Sequence, residues 1–249
     1  MLLLQMRKFR ILISFCALLY CNGELLAQSE SKNLKQTHFF SFSPNIQTNG
    51  YGINLKWSPA TLHSRFWFYS LDLGRIKHKK EFRYIGNARY NGFVFGRKNV
   101  VLPVRLGLGK HFVLSVRNNK NDVGVSWSYQ FGASMALLKP VYLYIDEMPG
   151  SLSSVEKLVK YDGEKNIGLD NIVGGASFFV GVNQMHVVPG AYGKVAMLFS
   201  WGKYYSDYHA LEVGAITEIY SKALPIMAST HNNFIFPAFY INLNLGKFW

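Results

Sequence analysis

The chain has 249 residues, of which 16% are aromatic, 16% are charged and 22 are glycine, and its formal net charge is +13. Charged residues make up about 25% of an average soluble protein. The two cysteines, Cys16 and Cys21, both lie near the N-terminus. The chain beyond them therefore has no disulfide and no thiolate metal site.

Residues 1–28 have the three parts of a secretory signal peptide in the expected order. Residues 7–10 carry three basic side chains, residues 11–20 form a short apolar run, and residues 23–28 are small or polar. The apolar run has about half of the roughly 20 residues that a spanning helix needs. We therefore predict an exported protein that begins near residue 29. Export argues against a nucleic-acid partner, despite the positive charge.

Ten segments of the exported part predict β-strands. In residues 122–133, for example, Trp127 and Tyr129 alternate with Ser126 and Ser128, as a strand with one apolar and one wet face requires. The segments are 37–46, 50–58, 64–76, 90–97, 100–113, 122–133, 135–146, 189–201, 206–220 and 233–249. Eight strands remain possible if the stretches 90–113 or 122–146 contain single long strands.

The connections between these segments favour an all-β, antiparallel transmembrane β-barrel with both ends in the periplasm. Such barrels have short periplasmic turns and longer extracellular loops. The longest predicted extracellular loop is 147–188, in which residues 151–160 are compatible with a short helix. The four predicted periplasmic connections are all short: 59–63, 98–99, 134 and 202–205.

The last predicted strand carries the most specific signal. Phe239, Ile241, Leu243 and Leu245 alternate with polar or small residues, and the sequence ends on Trp249. This pattern resembles the C-terminal signal of bacterial outer-membrane barrels. We therefore expect the outer membrane with its lipopolysaccharide, and the barrel-assembly machinery, to be partners of the chain.

Six charged residues fall on the polar face of the predicted strands. An isolated charge in a closed barrel is costly, so three bases and three acids are expected to pair. We predict that they form an ion-pair network that fills the lumen, while a narrow hydrophilic channel and a ligand pocket remain as alternatives. The six residues are Lys56, Asp72, Arg105, Lys194, Glu212 and Glu218.

The long loop carries an apolar stretch that includes Phe178, Phe179 and Val180. Exposed apolar side chains of this size mark an interaction site unless another part of the chain covers them. Two hypotheses follow. The stretch folds over the barrel mouth as a lid, or it contacts another protein of the envelope.

The sequence offers no catalytic or metal-binding pattern. None of the seven histidines has a partner at HxH or HxxxH spacing, and no H-x-S motif of the kind found in barrel lipases occurs. We therefore expect neither an enzyme nor a cofactor.

Several motifs together resemble an uncharacterised family of outer-membrane β-barrel proteins from Bacteroidota. They are IKHKKE at 76–81, FGRKN at 95–99, LGLGK at 106–110, LLKPVY at 137–142, ASFF at 176–179, VVPGAY at 187–192 and GKFW at 246–249. The resemblance implies a barrel fold and an envelope location, and it implies no catalytic residues.

Taken together, these features predict a non-enzymatic barrel with a structural or accessory role in the cell envelope, including docking to a secretion or assembly complex. A small pore or ligand-binding barrel is the first alternative. A lipid-modifying outer-membrane enzyme is the second.

Overall fold

The computed structural model of the chain describes residues 37–61, 65–84, 90–115, 122–146, 156–162, 168–201, 207–228 and 232–249. The predicted signal peptide lies outside these residues. The helices within them are the three-residue 3-10 turns Leu169–Asn171 and Val182–Gln184. Across the same ranges, no helix has the length and apolar character needed to cross a membrane.

The described residues form thirteen strands, and eight of these close into an antiparallel barrel in the order β1-β13-β12-β11-β7-β6-β3-β2. The barrel closes because β1 pairs with both β2 and β13. This architecture confirms the predicted fold class. The strands are β1 (Thr37–Gln47), β2 (Gly50–Thr61), β3 (Arg65–Ile76), β4 (Arg83–Tyr84), β5 (Phe93–Val94), β6 (Asn99–Ser115), β7 (Gly124–Pro140), β8 (Tyr142–Asp146), β9 (Glu156–Lys160), β10 (Ile172–Gly175), β11 (His186–Trp201), β12 (Asp207–Tyr220) and β13 (Ile235–Phe248).

The predicted number of ten strands is wrong, and the alternative of eight is right. Ser134, predicted to be a turn, lies inside β7, where it pairs with Arg105 and Gly190 on the neighbouring strands. The predicted strands 122–133 and 135–146 therefore join into one barrel strand, which stops at Pro140 because proline has no N–H for a further ladder bond. The predicted strand 90–97 lies outside the barrel, where β5 pairs with β4.

This pairing also corrects the predicted connections. The alternation of predicted connections places 114–121 among the extracellular loops, whereas β6 ends at Ser115 and β7 begins at Gly124 at the barrel end where β1 begins and β13 ends. The other two connections at this end are also short, and short turns mark the periplasmic end of such barrels. The opposite, long-loop end carries the connections 48–49, 77–98, 141–185 and 221–234.

Two of the connections at the long-loop end are folded. The connection 77–98 contains the β4–β5 hairpin, and the connection 141–185 contains a three-stranded sheet of order β10-β8-β9. The expectation of a helix at 151–160 is wrong for Glu156–Lys160, which forms β9 against β8; residues 151–155 lie outside the described ranges. Glu156–Lys160 is extended because the sheet of β8, β9 and β10 packs its buried side chains, among them Leu143 and Ile145, into one cluster with Phe93 and Val100.

Candidate functional site

All six charged residues predicted for the lumen are buried in the structure. They form three ion pairs, each joining a base and an acid on different strands. Arg105 Nη2 lies 2.6 Å from Glu218 Oε1, and Lys194 Nζ lies 2.5 Å from Asp72 Oδ1. The third pair joins Lys56 Nζ to Glu212 Oε2.

The strand order explains why these partners are far apart in the sequence. Asp72 on β3 and Arg105 on β6 stand side by side in the ladder. Even so, Asp72 binds Lys194 on β11, and Arg105 binds Glu218 on β12. Each ion pair therefore crosses the lumen and ties together strands that are not neighbours in the barrel.

Neutral polar side chains complete the coordination of the buried carboxylates. Glu212 accepts hydrogen bonds from Tyr240 Oη at 2.8 Å and from Asn244 Nδ2 at 3.0 Å. Glu218 accepts hydrogen bonds from the hydroxyls of Ser134, at 3.3 Å, and Tyr220. Buried charges need such additional partners to offset their loss of water.

Gln130 forms a second polar centre, because its amide nitrogen donates to Ser70 and Tyr192. The sequence interpretation missed these neutral partners. The signal was present for Tyr192, which lies two positions before Lys194 on β11 and therefore on the same face of the strand.

Two glycines on β6 make room for large side chains inside the barrel. A Cβ at Gly107 would lie 2.3 Å from Tyr192 Oη, and a Cβ at Gly109 would lie 2.3 Å from the Phe68 ring. Real carbon atoms do not approach so closely. The glycines therefore leave room for Tyr192 and Phe68 inside an eight-stranded barrel, whose narrow lumen suits a filling of side chains.

Apolar clusters lie above and below the ion pairs. At the short-turn end, where β1 begins, Phe39, Phe66 and Phe68 pack together, with Tyr208 and Phe248 against them. At the long-loop end, residues of the 221–234 connection cover the inward side chains of the wall. The buried members of this cap are Ile76, Val101, Ala136, Leu138, Val188, Tyr220, Leu224, Ile226 and Met227.

One side of the lumen is lined by asparagines. Asn45 on β1, Asn54 on β2 and Asn242 on β13 are buried, and none of their amide groups has a hydrogen-bond partner among the described residues. Asn45 and Asn242 are direct ladder partners. These amides therefore differ from the charged groups of the lumen, which pair with one another.

The predicted contact residues lie at the surface of the long-loop end. Phe179 is 80% exposed and Phe178 is 52% exposed, with the two rings 5.9 Å apart. The lumen is instead covered by Leu224, Ile226 and Met227. Phe178 and Phe179 thus remain accessible from outside.

The residues of the predicted C-terminal signal lie on the outer face of the barrel. Phe239, Ile241, Leu243 and Leu245 are all exposed on β13, and they alternate with the buried residues of the same strand. Trp249 follows the strand and exchanges backbone hydrogen bonds with His38, 2.7 and 3.0 Å long. This pair extends the β1–β13 seam beyond Phe248.

No cluster of three or more metal-binding side chains occurs within the described ranges. His111 is buried in the lumen, where its ring stacks on Phe66 with 4.8 Å between ring centres.

No family model matches the chain, and no curated protein matches it. Among solved structures, the chain is similar to surface protein A of Neisseria, with 6% identity and a TM-score of 0.37 over 85% of this chain and 94% of that one. It is also similar to Ail, the attachment invasion locus protein of Yersinia pestis, solved with the heparin analogue sucrose octasulfate. That match has 9% identity and a TM-score of 0.37 over 87% of this chain and 100% of the other. The fold assignment rests on the closed strand ladder itself.

Proposed function

We propose that the protein is a transmembrane barrel of a bacterial outer membrane. The support is the wall itself, which exposes apolar side chains outward while burying polar and charged ones inward. On β13, exposed Ile241 and Leu243 alternate with buried Asn242 and Asn244. A soluble protein buries apolar side chains and exposes polar ones. The wall of a barrel in lipid requires the opposite arrangement. The barrel-assembly machinery and lipopolysaccharide are its partners in this proposal, and the Bacteroidota resemblance stays a prediction.

Its role in this proposal is structural or accessory, and the observation that carries it is the filled lumen. The three cross-lumen ion pairs lie between an aromatic cluster and an apolar cap. Such a barrel is a rigid anchor that holds its folded extracellular loops at the cell surface. Loops on a rigid scaffold are where contacts with partners concentrate.

A membrane assay and a conductance assay test the proposal together. The full chain should fractionate with the outer membrane, and it should migrate differently before and after boiling in detergent. Reconstituted into planar bilayers, it should give no stable conductance steps. Recovery of the chain from the soluble fraction would contradict the location, and a stable conductance would contradict the filled lumen.

A narrow polar passage is the second candidate function. It is favoured by the unpartnered amides of Asn45, Asn54 and Asn242 along one side of the lumen. Under this alternative, Asn54→Leu and Asn242→Leu would remove a small conductance that the unaltered protein shows.

Docking to a protein of the envelope is assigned to the exposed rings of Phe178 and Phe179. A photo-crosslinking amino acid at position 179 should capture a partner in intact cells. The same amino acid at position 219, which lies on the lipid-facing wall, is the control and should capture none.

A further inference from the structure

A cavity of about 550 Å³ lies at the long-loop end, between the barrel wall and the two folded loops. Arg75 of β3 and Lys139 of β7 contribute the wall side. The β4–β5 hairpin contributes Arg83 and Phe93, and the 141–185 connection contributes Tyr142 and Phe178, among others. All lining residues belong to the described ranges, and none takes part in the ion pairs of the lumen.

The cavity lies on the outer side of the wall. Arg75 follows exposed Leu73 by two positions on β3, and Lys139 follows exposed Met135 by four on β7. Because side chains alternate between the two faces of a strand, both bases share the lipid-facing side. The cavity therefore lies at the extracellular rim, where the wall leaves the membrane. This placement relative to the membrane rests on the proposed function.

The lining carries five bases, Arg75, Lys77, Arg83, Arg97 and Lys139, against a single acid, Glu81. That acid already has partners. Its carboxylate accepts a hydrogen bond from Arg97 Nη1 at 3.0 Å and another from the backbone N–H of His78 at 3.1 Å. The excess of positive charge therefore has no counterpart among the residues that line the cavity.

Arg97 stands at the centre of this charge. Its side chain is largely buried, and its Nε has no hydrogen-bond partner in the described part of the chain. Burial lowers the pKa of Arg97, and the nearby charges of Arg75 and Arg83 lower it further, against the opposite effect of Glu81. A bound anion would relieve this repulsion.

Two aromatic rings accompany the bases. Phe178 lies under the Lys139 ammonium, with 5.2 Å from Nζ to the ring centre. Tyr142 is anchored by a 2.7 Å hydrogen bond from its hydroxyl to Gln184 Oε1. The volume exceeds what an inorganic anion needs and falls in the range of about 300–1,000 Å³ that holds small organic ligands. Basic groups beside flat apolar surfaces suit a ligand that has both a phosphate and a sugar ring.

We propose that this cavity binds a phosphorylated saccharide. The bases of the lining hold its phosphate through charge-assisted hydrogen bonds, and Tyr142 and Phe178 contact its sugar ring. Two sources share this chemistry, the phosphorylated headgroup of lipopolysaccharide in the surrounding leaflet and a soluble sugar phosphate.

The test uses the full-length protein in nanodiscs and two matched pairs of probes. Glucosamine 6-phosphate is compared with glucosamine by calorimetry, and diphosphorylated lipid A is compared with its dephosphorylated form by native mass spectrometry. The variant Arg83→Gln/Lys139→Gln removes two bases and keeps the Arg97–Glu81 pair. Lys222→Gln is the control, since Lys222 is an exposed base of the same end that does not line the cavity.

We expect the phosphorylated member of at least one pair to bind about tenfold or more tightly than the other, and the double variant to lose this preference. Preference for lipid A alone identifies the leaflet source, and preference for the soluble sugar phosphate identifies the free one. Equal binding of both members in both pairs would overturn the proposal, as would an unchanged preference in the double variant. Outer-membrane fractionation tests the proposed location separately, and a shift in mobility on boiling shows that each purified protein is a folded barrel.

Discussion

Asp72 and Lys194 meet across the lumen with 2.5 Å between Oδ1 and Nζ, although 122 residues separate them in the sequence. Asp72 lies on β3 and Lys194 on β11, and two other strands stand between them in the barrel order. The ammonium group also lies over the Tyr240 ring, 5.2 Å from its centre. One contact thus connects strands that the hydrogen-bond ladder does not join directly.

Breaking this ion pair on one side should destabilise the barrel more than removing both charges. Asp72→Asn and Lys194→Met each leave a buried charge without its partner, which costs about 3–5 kcal/mol in free energy of unfolding. The double variant Asp72→Asn/Lys194→Met should recover much of this loss. Urea unfolding in detergent measures all three variants, with Lys247→Met, on the exposed outer face near the end of β13, as the control. Equal losses in the singles and the double would contradict the cross-lumen pair.

Gly109→Ala should destabilise the barrel, because its Cβ would overlap the Phe68 ring in the aromatic cluster at the short-turn end. Overpacking of this kind costs about 1–3 kcal/mol. Gly193→Ala is the matched control, since a Cβ at Gly193 meets nothing within 4 Å. The urea midpoint of the Gly193 variant should stay unchanged or rise slightly. If the two variants behave alike, Gly109 does not serve to admit Phe68.

Ile241→Arg should show how close Ile241, on the lipid-facing side of the barrel, lies to the membrane midplane. Ile241 is exposed in the middle of β13, and Ile235 is exposed on the same face at the long-loop end of the strand. An arginine facing lipid costs about 2–4 kcal/mol at the membrane midplane and about 0–1 kcal/mol near the interface. Unfolding from lipid vesicles should show the larger loss for Ile241→Arg and the smaller for Ile235→Arg. A reversed order would place the membrane elsewhere on the barrel.

Deletion of residues 150–185, closed by a short Gly/Ser turn, should leave the barrel intact. The deleted stretch contains β9 and β10, which pair with β8 in a separate sheet, and it contains none of the eight barrel strands. The ladder between β7 and β11 runs from Gly124–Ser200 to Leu138–His186 and is unaffected. The shift in mobility on boiling checks this expectation. Loss of the shift would mean that the sheet of β8, β9 and β10 is needed for barrel assembly.

Alternation along single strands could be interpreted without a structure, because the face of a strand on which a side chain lies depends only on the parity of its position. Parity alone places Glu212 and Glu218 on one face of β12 and Leu211 and Val213 on the other, and the structure has them so. The same rule applied to every position would also have found Gln130 and Tyr192. The β-barrel fold class and the inward placement of the charged residues therefore follow from the local alternation pattern.

Strand number, pairing partners and the basic cavity depended on the tertiary structure. Ser134 resembles a turn residue in sequence, and only its two ladder neighbours keep β7 continuous. Arg97 lies in the connection 77–98 and Lys139 lies on β7, and no local periodicity relates them. Their proximity results from the closure of the barrel and the folding of two connections at its long-loop end. Parity is a property of one strand, whereas the partner of each charge is set by long-range pairing that no single segment encodes.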